Sequence, residues 1–148
     1  GEARYKEMLQ ETQKKFPKKV SAIFGFDVEL PYLIFGGADA VLVPSKFEPC
    51  GVVQMQAMRF GCIPIARRTG GLSDTIKDFD PSESKGTGFL FQEYDPWSLL
   101  TKIVKAHTCF GFKSDWKDLV IRAMREDFSW EKSAKKYLKV FKKVLKEK

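Results

Sequence analysis

Pro44-Ser45-Lys46-Phe47-Glu48-Pro49-Cys50-Gly51-Val52-Val53-Gln54 is the stretch that decides how this chain is read. The apolar run Ala40-Val41-Leu42-Val43 precedes it, and the apolar-periodic run Val52-Val53-Gln54-Met55-Gln56-Ala57-Met58 follows. That order predicts a buried strand, a tight loop and a helix. The loop carries one carboxylate, a proline, and a glycine where the helix should begin. In open α/β sheets ligands sit beyond the carboxyl ends of the strands, where free helix amides favour anions.

Working outward, the same alternation recurs. Residues 2–16 place Tyr5, Met8, Leu9, Thr12 and Phe16 at three- and four-residue steps, predicting a helix that Pro17 stops. Residues 20–26 are rich in β formers and predict a strand. Residues 30–36 predict a short helix capped by Gly36-Gly37. Residues 40–43 form the next strand, and residues 52–60 a helix closed by Gly61. Residues 63–66 predict a third strand, short or unpaired at Pro64, which lacks an amide donor. Residues 67–72 then read as a loop, 73–77 as one helical turn, and 78–86 as a surface loop rich in Asp, Pro, Ser and Gly. Phe89-Leu90-Phe91 is a fourth strand. Asp95-Pro96 opens a helix with Asp as cap and Pro in the first position. Ser114-Asp115 opens another, reaching about Asp127. Ser129 caps a last one with Trp130, Ala134, Tyr137, Leu138, Phe141 and Leu145 on one side. The fold class expected is α/β: a Rossmann-like three-layer domain on a parallel sheet. Four strands are few for a complete doubly wound domain, so one or more first strands are expected upstream.

A length of 148 residues with 43% apolar content suits one domain with one core. No apolar run reaches the length of a membrane span, and no targeting segment is read at the start. The net charge of +7 is concentrated at the ends. Residues 1–19 carry +3 and residues 129–148 carry +6, leaving −2 between them. That distribution fits solvated basic helix faces better than a nucleic-acid groove. Cys50, Cys62 and Cys109 make no paired motif, and one histidine is too few for a Cys/His metal site. A reducing compartment fits. The expected partners therefore include no nucleic acid, no membrane, no metal and no cofactor.

Glu48, partly desolvated between Phe47 and Pro49, suits the vicinal hydroxyls of a sugar because both its oxygens accept. An ordinary loop glutamate is the alternative. Gly51 allows close approach to the backbone, and the amides of Val52 and Val53 in the first helical turn lack intrahelical partners. A diphosphate would satisfy them; a plain strand–turn–helix would leave them to water. Arg67-Arg68-Thr69-Gly70-Gly71 offers cations and amides at the next strand end, or a turn with solvated arginines. Phe26 either stacks on a base or packs in the core. His107 reads as a half-buried structural histidine, Cys50 as a small residue leaving room for ligand, and Trp97, Trp116 and Trp130 as packing anchors.

Several spaced motifs resemble those of bacterial glycogen synthases and plant starch synthases. They are Gly36-Gly37-Ala38-Asp39, Val43-Pro44-Ser45-Lys46-Phe47-Glu48-Pro49-Cys50-Gly51 and Arg67-Arg68-Thr69-Gly70-Gly71-Leu72-Ser73-Asp74-Thr75. Gly86-Thr87-Gly88-Phe89 and Phe128-Ser129-Trp130 continue in the same order. The likeness runs from about Val20 to Tyr137. It implies the GT-B fold, two Rossmann-like domains facing across a cleft, with residues 1–148 as part of the C-terminal, donor-binding domain. It implies transfer of glucose from ADP-glucose to the non-reducing end of an α-1,4-glucan with retention.

By that resemblance Glu48, Cys50 and Gly51 hold the donor sugar and Val52 and Val53 the distal phosphate. Phe26 stacks on adenine, Arg68, Thr69 and Gly70 add contacts, and no residue of the segment is assigned a catalytic role. Residues 129–148 would cross toward an N-terminal domain, whose Lys-Thr-Gly-Gly-Leu stretch and histidine are absent here, as are the arginine and lysine that clamp the diphosphate. Gln56 stands where many retaining GT-B enzymes carry a second glutamate, a departure common in glycogen and starch synthases. The segment alone is expected to bind donor weakly and not to turn over. The location implied is the bacterial cytoplasm or, for a plant source, the plastid stroma. A non-catalytic nucleotide-sugar module and a UDP-sugar transferase are the alternatives.

Overall fold

The computed structural model describes residues 3–146. Ten elements follow one another: α1 (Ala3–Lys15), α2 (Leu30–Gly37), β1 (Ala40–Val43), α3 (Val53–Arg59), β2 (Ile63–Arg67), α4 (Gly70–Thr75), β3 (Phe89–Phe91), α5 (Pro96–Gly111), α6 (Lys113–Met124) and α7 (Trp130–Lys146). The three strands form one parallel sheet in the order β1-β2-β3. This is the α/β parallel-sheet class expected, with one strand fewer.

The missing strand is residues 20–26, which form coil. Strand propensity measures fit to a half-buried pleated surface, and this segment has none beneath it: Ile23 is 66% exposed. The segment pairs with no edge, and the free flank of β1 leaves Leu42 half exposed. The cap expected at Gly36-Gly37 is also absent. Both glycines lie inside α2, and Ala38 closes it in an extended conformation, its N–H donating to the Ile34 carbonyl at 2.8 Å. The chain runs from there into β1, so it needs extension rather than a left-handed reversal.

Pro64 is wholly buried in the central strand. Ile63 N–H donates toward β1, to the Asp39 carbonyl at 3.0 Å. Alternation along the strand therefore turns the Pro64 nitrogen toward β3, which begins only opposite Ile65. Gly88 fills that flank, where a Cβ would stand 2.6 Å from the Pro64 carbonyl oxygen. The sheet accommodates a proline at its centre because the neighbouring strand starts one residue late.

All three residues of β3 are buried. Its outer edge is closed by Asp78, whose Oδ1 accepts from Leu90 N–H at 2.8 Å while Oδ2 pairs with Lys102 on α5 at 2.7 Å. The segment read as surface loop thus covers a sheet edge, and its Phe79 is core, edge-on to Phe89 at 5.5 Å. Around β2 and β3 the core adds Met58, Leu72, Ile76, Leu119 and Trp116, the last stacked on Phe89 at 6.5 Å. Trp116 is the anchor expected. Trp97 and Trp130 are not, at 76% and 85% exposure. Trp130 opens a helix that buries no residue, so the apolar stripe of α7 faces outward. His107 is likewise exposed on α5.

Asp95 caps α5 as read, accepting from the amides of Trp97 and Ser98. Ser114 does not cap α6, which starts a residue earlier with Phe112 at the cap position and ends at Met124. Ser129 does cap α7, accepting from Lys132 N–H at 3.3 Å. Helix α4 begins within the stretch read as loop. Its first residues pack backbone to backbone against the β1–α3 loop: Gly71 N–H donates to the Glu48 carbonyl at 2.9 Å. A Cβ on Gly71 would stand 2.0 Å from the Cys50 carbonyl oxygen, and one on Gly70 2.1 Å from that of Glu48.

Substitutions at three positions test this packing, all read by urea denaturation. Asp78→Ala leaves a buried strand amide unpaired and should cost about 1–3 kcal/mol, whereas Asp78→Asn keeps an acceptor and should cost less. Gly71→Ala should cost about 1–3 kcal/mol by forcing the two backbones apart. Gly37→Ala, where a Cβ meets nothing within 4 Å, should instead stabilise by about 0.5–1 kcal/mol.

Candidate nucleotide-sugar site

The candidate residues lie on loops that leave the carboxyl ends of the strands. Arg67, last residue of β2, ties the three loops together. Its guanidinium donates to the carbonyls of Lys46 after β1 and Gln92 after β3, and lies 5.4 Å from the centre of the Tyr94 ring. Arg67 is therefore a structural joint. Arg68 points elsewhere, exposed on the rim of an open cavity that Gln92, Ser98, Thr101 and Lys102 also line.

Within the β1–α3 loop, Glu48 is half-buried and its carboxylate lies 3.5 Å from the Ser45 hydroxyl, which donates to it. Its carbonyl is held from the other side by Gly71 N–H. Cys50 is exposed, and Gly51 turns the chain into α3 at φ +73°, a conformation that favours glycine. Val52 stands at the N-cap of α3 with no side-chain cap, and Val52 and Val53 are both exposed. The first-turn amides thus face outward without a protein side chain to accept from them. The loop presents one carboxylate, one turn of amides and an exposed thiol on a single short segment, with Thr69 and Gly70 backed against it.

Phe26 stands apart on the coil before α2. It is 94% exposed and makes no ring or cation–π contact among the described residues. Among the described residues the ring therefore has no place in the core. No contact brings it to the β1–α3 loop.

Gln54 and Thr75, to which the sequence assigned no role, hold the site together with Arg67, which was read as a ligand-facing cation or a solvated arginine and instead bonds two loop carbonyls. Gln54 is fully buried, and its side-chain amide donates to the carbonyls of Cys50 and Gly51 and to the Thr75 hydroxyl. A signal was present, because Gln54 shares the helical spacing of Ala57 and Met58, both wholly buried. A polar side chain on the buried stripe of a helix needs partners. Of the other thiols, burial foremost and the Asp39 charge push Cys62 up to about 11. Burial and Asp115 raise Cys109. Neither is suited to act as a nucleophile. No cluster of three metal-ligating side chains occurs among the described residues.

A parallel sheet with ligand-facing loops at its carboxyl ends is common to many proteins, so the comparisons with known ones carry the next step. The family model for glycosyl transferases group 1 matches residues 1–118. The glycogen synthase of Kosmotoga olearia is 47% identical over 98% of this chain, and glycogen synthase 1 of Synechocystis is 46% identical over the same share. The chain spans about 30% of the length of either relative. Among solved structures, the catalytic domain of starch synthase IV from Arabidopsis thaliana, bound to ADP and acarbose, superposes with a TM-score of 0.82. It is 34% identical over 93% of this chain and 29% of that one. Sucrose-phosphate synthase from Thermosynechococcus elongatus, at 24% identity and TM-score 0.66, shares the fold. With four-fifths of its length matched by that family model, the chain belongs to the group 1 glycosyl transferases.

Proposed function

We propose that this segment is the donor side of a retaining glucosyltransferase that moves glucose from ADP-glucose to the non-reducing end of an α-1,4-glucan. The observation that carries the reading is the β1–α3 loop, where a half-buried carboxylate and uncapped first-turn amides sit side by side. The relatives named as glycogen synthases and the starch synthase solved with ADP and acarbose support it.

In this reading Glu48 accepts from the hydroxyls of the donor glucose, and the amides of Cys50 and Gly51 help to seat the sugar. The amides of Val52 and Val53 take the distal phosphate, whose charge they and the short helix favour. Arg68, Thr69 and Gly70 contribute from the second loop. Phe26, exposed and unpartnered by other rings, stacks on the adenine once the nucleotide brings the two together. Glu48 binds and does not act as a nucleophile. Retaining transfer needs the leaving diphosphate neutralised and the acceptor held against the reacting carbon. Those tasks fall to an arginine and a lysine early in the C-terminal domain, which clamp the diphosphate, and to a second, N-terminal GT-B domain carrying a glycine-rich loop and a histidine. The outward apolar stripe of α7 suits a helix that packs against that domain.

Titrating ADP calorimetrically against the full-length protein tests the nucleotide half of the reading. Phe26→Ala should weaken ADP by about tenfold, as loss of one base–aromatic stack does, and equal affinities would discard the stack. Glu48→Gln should weaken ADP-glucose while leaving ADP unchanged; a matching loss for both ligands would remove Glu48 from the sugar. The purified 148-residue chain should incorporate no labelled glucose into glucan, and measurable elongation by it would refute the division of labour between two domains.

A further inference from the structure

Gln54 is fully buried on α3, beneath the loop assigned to the donor. Its Nε2 lies 3.2 Å from the Cys50 carbonyl oxygen, 3.0 Å from that of Gly51 and 3.0 Å from Thr75 Oγ1. Thr75 gives its own proton to the Gly71 carbonyl at 2.7 Å, so toward Gln54 it can only accept. The two carbonyls also only accept. Three acceptors around one end of the amide dictate which end is nitrogen. The opposite orientation would set an oxygen against three lone pairs. Oε1 is left buried and without a hydrogen-bond partner, and a Cβ on Gly51 would stand 2.6 Å from it.

These bonds close a circuit. Gly71 N–H reaches the Glu48 carbonyl, the Gly71 carbonyl takes the Thr75 hydroxyl, Thr75 takes the Gln54 amide, and Gln54 returns to Cys50 and Gly51. The loop is pinned at the carbonyls of residues 48, 50 and 51, from the Glu48 backbone up to the first amides of α3. Gly71 holds the first of these, and the hold on Cys50 and Gly51 comes entirely from the donor half of Gln54, since Oε1 contributes no bond.

We infer that Gln54 is the positioning residue of the donor loop, and that it acts as a hydrogen-bond donor through the Thr75–Gly71 arm rather than as a filler of space. The inference rests on the donor reading of residues 48–53 given above. A donor at this position explains why an amide, and not a carboxylate or an apolar side chain, stands on the buried stripe of α3. Gln54→Met keeps length and burial but removes the donor. Gln54→Glu keeps the shape and presents a carboxylate to the same three acceptors. Thr75→Val breaks the circuit from a half-buried position on the other element.

The test uses the full-length protein with two readouts, exchange of the Gly71 amide by hydrogen–deuterium NMR or mass spectrometry, and affinity for ADP-glucose. Gln54→Met should speed Gly71 exchange and weaken ADP-glucose by about tenfold each. Gln54→Glu should do more of both. The Gln54→Met/Thr75→Val double variant should be no worse than the more affected single one, because both cut the same circuit. Unchanged Gly71 exchange in Gln54→Met, or additive effects in the double variant, would overturn the circuit. Faster exchange with unchanged ADP-glucose affinity would overturn the positioning role while leaving the donor reading intact. A wild-type protein that binds no ADP-glucose but shows the exchange changes would instead remove the donor reading, and with it the ligand that Gln54 positions.

Discussion

Two backbone segments meet here at a distance that no side chain permits. Residues 48–50, leaving β1, touch residues 70–71, leaving β2, with a single N–H···O bond between them and no room for a Cβ on either glycine. Everything at the candidate site depends on that approach. It sets the loop before α3 against the first turn of α4. It fixes the Glu48 backbone through its carbonyl, and it brings Thr75 within reach of Gln54. Paired glycines at 70 and 71 are therefore a packing requirement, and the Gly71 amide, read from the sequence as free for an anion, is used to hold the Glu48 carbonyl. A parallel sheet makes such a meeting natural, because consecutive strands deliver their loops to the same edge.

The sheet itself is narrow, and its two edges are treated differently. On the β3 side the chain folds back through Asp78 and Phe79, closing the edge with one carboxylate and burying an aromatic ring beside Phe89. On the β1 side no strand lies alongside, and Leu42 remains half exposed. The difference shows what stabilises the small domain: β2 and β3 are buried on both faces, under α3, α5 and α6, while β1 leans on β2. Pro64 can occupy the central strand because its missing donor faces the flank where β3 has not yet begun.

Several apolar surfaces lie outside this core. The stripe of α7, the rings of Trp97 and Trp130, and Ile23 and Val28 before α2 are all exposed. Apolar periodicity states that a helix has a face to bury, and not what it is buried against. The chain spans about 30% of the length of the relatives it matches, and the two-domain reading proposed above assigns these faces to the remainder of such a protein.

Strand–loop–helix order, the Asp95 and Ser129 caps, and the placing of the candidate residues at strand ends were all legible in the sequence. Each depends on contacts a few residues apart. Glu48, Gly51, Val52 and Val53 could be singled out as candidates for the same reason. Other features were decided by parts of the chain that meet only when folded. Residues 20–26 have strand composition but no edge to pair with. Gly36-Gly37 look like a cap but sit in a helix whose exit must be extended. Asp78 and Phe79 read as loop until β3 lies beside them. Arg67, beside the exposed Arg68 in sequence, turns inward because two carbonyls from distant loops converge on it. Gln54 becomes the hub of a hydrogen-bond circuit only when Thr75, twenty-one positions away, is delivered by the neighbouring strand's loop. Local propensity and spacing determined the elements and the residue types of the loop; long-range packing determined which polar groups stay exposed and which hold the loop still.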